Sequence, residues 1–320
     1  MNACICEPKG EPGAARHVAF SRTAGAALLA LLALILAGCS TGIRLGYNQA
    51  ETLVNWSLSD YVDFEPHQRD LFGQKFRALH EWHRREQLPE YVRLVREVRT
   101  RVEDGLTRED VDWVIARSRG QLEAVVDRGA GDAADLMLSL TPEQVKSLER
   151  GFARANRKLA QSWGIGRPVA EQHKLRAERL VTQVERFTGK LSREQLERVT
   201  ALSDALPLTN DQRFAERQRR QRELTAALQS GRSRADMATW FRQWAPNWER
   251  GRDPQTARSA QAAAEQRAQL YADIDRLLTP AQRRTAMDRL QGYADDFAAL
   301  SSAPAQRAQQ PQLQLQRAAN

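Results

Sequence analysis

Residues Leu140–Leu159 read LTPEQVKSLERGFARANRKL, and this stretch decides the fold. Thr141 stands where a helix N-cap belongs and Pro142 at the first helical position. Gln144 stands at the third, from which its amide reaches back to the cap. Behind that start, Val145, Leu148, Phe152 and Leu159 recur at spacings of three, four and seven, one face of an α-helix. Leu140, just ahead of the cap, supplies half of a hydrophobic staple. The same punctuation recurs as LTRED at Leu106–Asp110, LSREQ at Leu191–Gln195, LTNDQ at Leu208–Gln212 and LTPAQ at Leu278–Gln282. FEPHQ at Phe64–Gln68 follows it too, although Glu65 is a poor cap. The intervals between these starts are irregular, which excludes a solenoid of fixed period.

Helical stripes continue on both sides of this stretch. Leu71, Phe72, Phe76, Leu79, Trp82 and His83 share a face, as do Val111, Val114, Ile115, Leu122, Val125 and Val126. Leu180, Val181, Val184 and Phe187 form another, followed by Leu196, Val199, Leu202 and Leu206, and by Leu270, Ile274 and Leu277. Sustained alternation, the mark of a strand, is nowhere present. Gly and Pro number only 18 and 12 of 320 residues, and the common residues are good helix formers. The pattern predicts an all-α, elongated multi-helix bundle of roughly nine to eleven helices over 53–300. Weak breaks are expected at Gly129–Gly131, Gly164–Pro168 and Ala245–Pro254. The Ala/Gln/Pro-rich stretch 301–320 reads as a disordered tail.

The front of the chain follows a different logic. Arg16, His17 and Arg22 precede the 14-residue apolar run AGAALLALLALILA at Ala24–Ala37. That run is too short to span a bilayer but suits the hydrophobic region of a signal peptide. Leu36-Ala37-Gly38-Cys39 resembles the lipobox of bacterial lipoproteins. The resemblance implies cleavage after residue 38, acylation of the Cys39 sulfur, and a short lipidated tether over 39–52. An ordinary secretory signal that ends in Cys is the other reading. Cys4 and Cys6, the remaining cysteines, leave with the signal, so the mature domain has no thiol to pair. Ser40 follows the lipid cysteine. By resemblance to lipoprotein sorting in Gram-negative bacteria, the lack of Asp there points to the inner face of the outer membrane.

The formal net charge is +8, carried mostly by arginine. Such a chain on an acyl tether is expected beside anionic headgroups or anionic clients, and solvated Arg-rich helix faces are the plainer alternative. Nucleic acid is not expected as a partner for a secreted chain. The residues that could carry a partner are Trp240, Phe241, Trp244 and Trp248, with Arg242, Arg250 and Arg252 alongside. Trp and Arg are favoured at recognition hot spots, although an aromatic corner closing the last helices has the same pattern. The run Arg213–Arg222, RFAERQRRQR, is either a basic stripe for an anionic partner or a solvated face.

His80-Glu81-Trp82-His83 invites a metal reading, but its histidines are three apart, and the zinc-protease helix needs four. Arg84 and Arg85 add positive charge beside them, so Trp82 and His83 are expected to pack and His80 to be partly exposed. Asp60, Asp63 and Glu65 are more simply neighbours of a helix N-terminus than acid/base partners. The chain has no Gly-rich phosphate loop, no GxSxG, and no cysteine nucleophile after Cys39. It is therefore read as non-enzymatic, with no metal and no cofactor.

Two resemblances follow from particular motifs. Arg44-Leu-Gly-Tyr-Asn48, Asp60-Tyr-Val-Asp63, Trp82-His-Arg-Arg-Glu86 with Leu88-Pro89, and Arg250-Gly-Arg-Asp-Pro254 together resemble a proteobacterial lipoprotein family of unknown function. That resemblance implies a fold and an anchor but no activity. LTPEQ and LTPAQ are similar to the LTxxQ motif of the Spy/CpxP periplasmic stress proteins, small helical proteins that form cradle-shaped dimers and bind unfolded clients without ATP. This second resemblance covers short stretches only and implies an ATP-independent, chaperone-like binding protein. A structural or adaptor lipoprotein docked on another envelope complex is the alternative, and a hydrolase of envelope polymers a distant third. The oligomeric state stays open.

Overall fold

A computed structural model of the chain describes residues 38–303. The stretch read as a signal peptide, up to Ala37, and most of the stretch read as a tail, beyond Ala303, lie outside the described residues. The chain divides into two units, Met1–Gly42 and Ile43–Asn320, and the bundle is the second of these. The described residues are all-α, with no strand among them. In order they form α1 (Gly38–Asn48), α2 (Ala50–Ser59), α3 (Pro66–Trp82), a π-helical turn (His83–Gln87), α4 (Leu88–Arg101) and α5 (Arg108–Leu138). Then come α6 (Pro142–Trp163), α7 (Val169–Thr188), α8 (Arg193–Asp204), α9 (Asn210–Leu228), α10 (Arg234–Trp244), α11 (Pro254–Arg276) and α12 (Pro280–Ser302). No described helix is long and apolar enough to cross a membrane.

The capping signals set most of the starts. Thr107, Thr141, Ser192 and Thr279 each accept from the backbone N–H three residues on, and the third-position side chain answers the cap N–H. At Phe64–Gln68 the glutamine half of the box forms, Gln68 accepting from the Glu65 N–H at 2.9 Å. LTNDQ is the exception. Thr209 takes φ −120° and ψ 10°, outside the extended conformation of a working cap, and its side chain caps nothing.

Four of these boxes have a second function, because they meet in pairs. Gln68 Nε2 donates to Gln144 Oε1 at 3.0 Å, and Gln144 Nε2 returns a bond to Gln68 Oε1 at 2.7 Å. Each amide also donates to the carbonyl two residues ahead of the other's cap, Ser139 O at 2.6 Å and Asp63 O at 2.8 Å. The arrangement recurs with Gln195 and Gln282, whose amides donate to each other and to Leu277 O and Lys190 O. Each clasp joins two helix N-termini by four amide bonds and leaves no glutamine polar atom unmatched.

Packing is dominated by α12 lying along α4 and α7, by α5 against α10 and α11, and by the α7–α8 hairpin. Leu180, Val184, Leu191, Val199, Leu270 and Ile274 form one apolar core, as the stripes predict. A second core gathers Ala134, Ala227, Met237 and Ala238, with Trp240 packed against it. Gly129–Gly131, expected as a break, lies inside the continuous α5. A side chain at Gly129 would meet Leu79 at 3.4 Å, so small residues there admit close approach of α3 rather than end the helix. Ile115 and Leu122 of the expected α5 stripe face outward, because the buried side of α5 is its Gly129/Ala130/Ala134 edge. Gly164 does end α6, in the left-handed conformation at φ +70°. Helix α12 runs through Ser302, two residues into the stretch expected to be tail.

Candidate functional site

Two regions gather polar chemistry. The first surrounds the π-turn. Pro89 has no N–H to donate to the Arg85 carbonyl and its ring would crowd it, so the helix widens there and Leu88 N–H bonds to His83 O, five residues back. The end of α3 and the turn present His80, His83 and Arg84 to α1, where the sequence suggested a tether. Tyr47 Oη lies 2.9 Å from His83 Nδ1, and His83 Nε2 lies 3.3 Å from Tyr91 Oη. Arg84, 4% exposed, donates to Asn48 Oδ1 at 2.7 Å and Leu300 O at 2.8 Å, with its guanidinium 5.0 Å from the Tyr47 ring centre. Arg44 pairs with the buried Asp296 at 2.7 Å. Burial pushes the Tyr47 phenol up to about 12 and holds His80 and His83 below the ordinary histidine value. Most polar groups of this region bond within it, His80 Nε2 and Gln87 Oε1 being buried without a partner among the described residues, and the region seats α1 against α3 and α12. Among the described residues no group of three or more His, Cys, Asp or Glu side chains is placed to hold a metal.

The second region is a groove of about 1190 Å³ walled by α6, α9, α11 and the turns between α10 and α11. Six arginines line it (Arg119, Arg213, Arg217, Arg250, Arg252 and Arg267) against two glutamates, Glu216 and Glu249. Both glutamates are engaged. Arg219 and Arg252 hold Glu216 at 3.0 and 3.1 Å, and Arg119 holds Glu249 at 3.1 Å. Burial raises the Glu216 carboxyl, but the two arginines outweigh it and keep the group below its ordinary range. Arg213, Arg217, Arg250 and Arg267 form no ion pair among the described residues. Arg213 lies 5.1 Å from the Trp163 ring centre. Trp248, 54% exposed, stands on the wall.

A model of a family of unknown function, DUF6279, matches residues 60–244. The chain belongs to this family. No curated protein and no solved structure matches it. The DUF6279 match runs from Asp60 to Trp244, so it includes the glutamine clasp of Gln68 and Gln144, the π-turn, and α9. The wall of the groove formed by Trp248 to Arg267 follows it.

Within this DUF6279 protein the expected site residues divide. Trp248, Arg250 and Arg252 line the groove, joined there by Arg213 and Arg217 of the basic run. Trp240 and Trp244 stack at 5.0 Å between ring centres and serve packing, Trp240 on the Met237 core and Trp244 through a 3.1 Å bond from its indole N–H to Glu223. Phe241 leans on Trp244, and Arg242 faces Asp127 at 3.9 Å, both away from the groove lining. Arg220, read as part of a stripe, points inward. It is 5% exposed, lies 4.3 and 4.5 Å from the Trp244 and Trp248 ring centres, and donates to the carbonyls of Trp244 and Asn247. It therefore fixes the C-terminal end of α10 and orients Trp248 toward the groove. Arg119, Trp163 and Arg267 belong to the groove without any sequence signal, since each comes from a different helix. Cys39 falls in α1, and the lipidation reading rests on its sequence context alone.

Proposed function

We propose that the protein is a non-enzymatic envelope binding protein, acylated at Cys39 and lying on the inner face of the outer membrane, whose groove holds acidic stretches of client polypeptides. The observation that carries this reading is the charge of the groove, six arginines to two glutamates, with four of the arginines lacking an ion pair. A channel of one sign concentrates partners of the other sign and steers them in. Trp248 adds a broad apolar and π surface at low entropic cost. Arg219 and Arg252 keep the Glu216 carboxyl below its ordinary range, which suits charge balance better than proton transfer. Outward-facing Leu45, Leu53 and Trp56, the last 70% exposed, follow Cys39 closely in sequence and fit a position at a lipid interface.

The test uses the full chain in nonionic detergent with fluorescent peptides of matched length, one acidic and one basic. The acidic peptide is expected to bind, with affinity falling as salt rises. Trp248→Ala together with Arg250→Ala is expected to weaken it about tenfold, on the scale of one hot-spot contact. Equal binding of both peptides, or none, would sink the reading. An ATP-free aggregation assay with two unrelated unfolded clients then separates the modes. Protection of both supports a holdase, and protection of neither with retention of one stoichiometric partner supports an adaptor.

A further inference from the structure

At its inner end, among α7, α8, α9 and α11, the groove closes into a pocket of about 190 Å³. Small-molecule sites usually measure roughly 300–1,000 Å³, so this one has room for a single compact polar group rather than a peptide. Four arginines line it: Arg176, Arg179, Arg213 and Arg267. None of the described residues lining it is acidic. Asp204, whose charge reaches Arg176, stands outside the lining, 3.3 Å from His173. Burial first, and then the charge of Arg213, lowers the affinity of Arg179 and Arg267 for their protons, so these cations feel one another. Glu178 likewise reaches Arg179 from outside the lining, and neither Arg213 nor Arg267 forms an ion pair among the described residues. Like charges gathered around a space with no acidic group in its lining are unfavourable unless an anion completes them.

Two residues that line this pocket each carry a buried polar atom without a partner among the described residues. Ser203 is 1% exposed, lines the pocket, and its Oγ has no hydrogen-bond partner among the described residues. Arg176 donates to Pro207 O at 2.9 Å, Ser203 O at 2.7 Å and Leu206 O at 3.0 Å, which fixes the guanidinium and leaves its buried Nε without a partner. The third contributor is the start of α9. Thr209 and Asn210 line the pocket, and Thr209 is the cap whose side chain bonds to nothing in its own turn. First-turn N–H groups that a side chain leaves free are the donors that anions take up.

We propose that this pocket binds a phosphate group, held by the Arg179, Arg213 and Arg267 guanidinium groups, the Ser203 hydroxyl and the first turn of α9. A tetrahedral dianion supplies enough acceptors for this many donors, and arginine forks match its oxygens better than lysine would. The phosphate comes either as the free ion or as the monoester headgroup of a lipid. The proposal goes beyond the peptide groove and does not need it, although the two share Arg213 and Arg267.

The test is calorimetric titration of the full chain in nonionic detergent with inorganic phosphate at constant ionic strength, with chloride and acetate as controls. A second arm replaces phosphate with a short-chain phosphatidic acid, against phosphatidylcholine of the same chain length. Saturable binding of phosphate is expected, weakened about tenfold by Arg267→Gln, the scale of one charge-assisted bond. Ser203→Ala is expected to weaken it severalfold without lowering the thermal midpoint, because alanine removes a buried hydroxyl that had no partner. Binding of the free ion assigns the soluble source, and binding of phosphatidic acid alone assigns the lipid headgroup. No binding in either arm, or unchanged affinity in both variants, overturns the proposal. Acidic-peptide binding is measured in parallel on the same preparation, so a failed pocket with a working groove, or the reverse, is read directly.

Discussion

Arg84 at the π-turn and Arg267 on the groove carry the same charge into opposite surroundings. Arg84 is almost fully buried, and its donors meet Asn48 Oδ1 and Leu300 O while the Tyr47 ring covers its face. Arg267 makes no hydrogen bond or ion pair among the described residues, and shares its pocket with three further arginines. Arg220 belongs with Arg84, since it too is buried, stacked on aromatic rings and bonded to carbonyls at a helix end. The contrast separates two uses of arginine in one chain. Where internal acceptors match the guanidinium, it is part of the fold. Where they do not, its donors remain available to something outside the chain.

The largest effect that can break this comparison lies at Arg84. Arg84→Ala leaves Leu300 O and Asn48 Oδ1 without a donor, opens a void under Tyr47, and releases α1. Two charge-assisted bonds at a buried site put the cost at about 3 kcal/mol. Denaturant unfolding of the full chain should show that loss, and hydrogen exchange should show residues 43–48 losing protection first. A variant as stable as the wild type would mean that Arg84 is not structural and that the contrast with Arg267 is empty.

What the sequence could and could not reveal follows the range of each interaction. The capping boxes were legible because donor and acceptor are three residues apart, and they locate most helix starts. Their pairing into clasps was not, since Gln68 meets Gln144 and Gln195 meets Gln282 only after the helices fold back on one another. The spacing of Trp240 and Trp244 correctly puts them on one face, but it cannot say that the face packs on Met237. The basic run from Arg213 to Arg222 reads as one stripe, yet its members go three ways. Arg213 and Arg217 line the groove, Arg219 pairs with Glu216 and Glu223, and Arg220 turns inward. The phosphate pocket left no trace, because Arg176, Ser203, Arg213 and Arg267 come from four helices and form no local pattern.

The next effect sharpens the comparison by adding charge beside Arg84. His80 and His83 are held below the ordinary histidine value of 6.5, first by burial and then by the charge of Arg84 on His80 and of His80 on His83. Glu81 and Glu51 oppose this at His80 without reversing it. The folded chain therefore takes up these protons less readily than the unfolded chain. Well above pH 6.5 neither state is protonated there and stability is unaffected. As pH falls below 6.5, the unfolded state gains protons first and stability declines, until the depressed folded values are reached. A thermal midpoint that drops between neutral and mildly acidic pH, with the drop reduced in His80→Gln, is the expected result. A flat profile would show that these imidazoles are not desolvated by the docking of α1.

The smallest effect is the most telling, because its sign is what matters. Arg267→Gln removes a charge from a crowded cluster and breaks no internal bond, so in phosphate-free buffer the thermal midpoint should stay level or rise slightly, by a few tenths of a kcal/mol at most. Removing an arginine, which at Arg84 costs stability, would here relieve repulsion. Added phosphate should then raise the wild-type midpoint by mass action, and raise that of Arg267→Gln less at every concentration. If Arg267→Gln instead destabilises the protein without phosphate, the guanidinium has an internal acceptor, and Arg267 must be counted with Arg84 and Arg220 among the arginines that hold the fold.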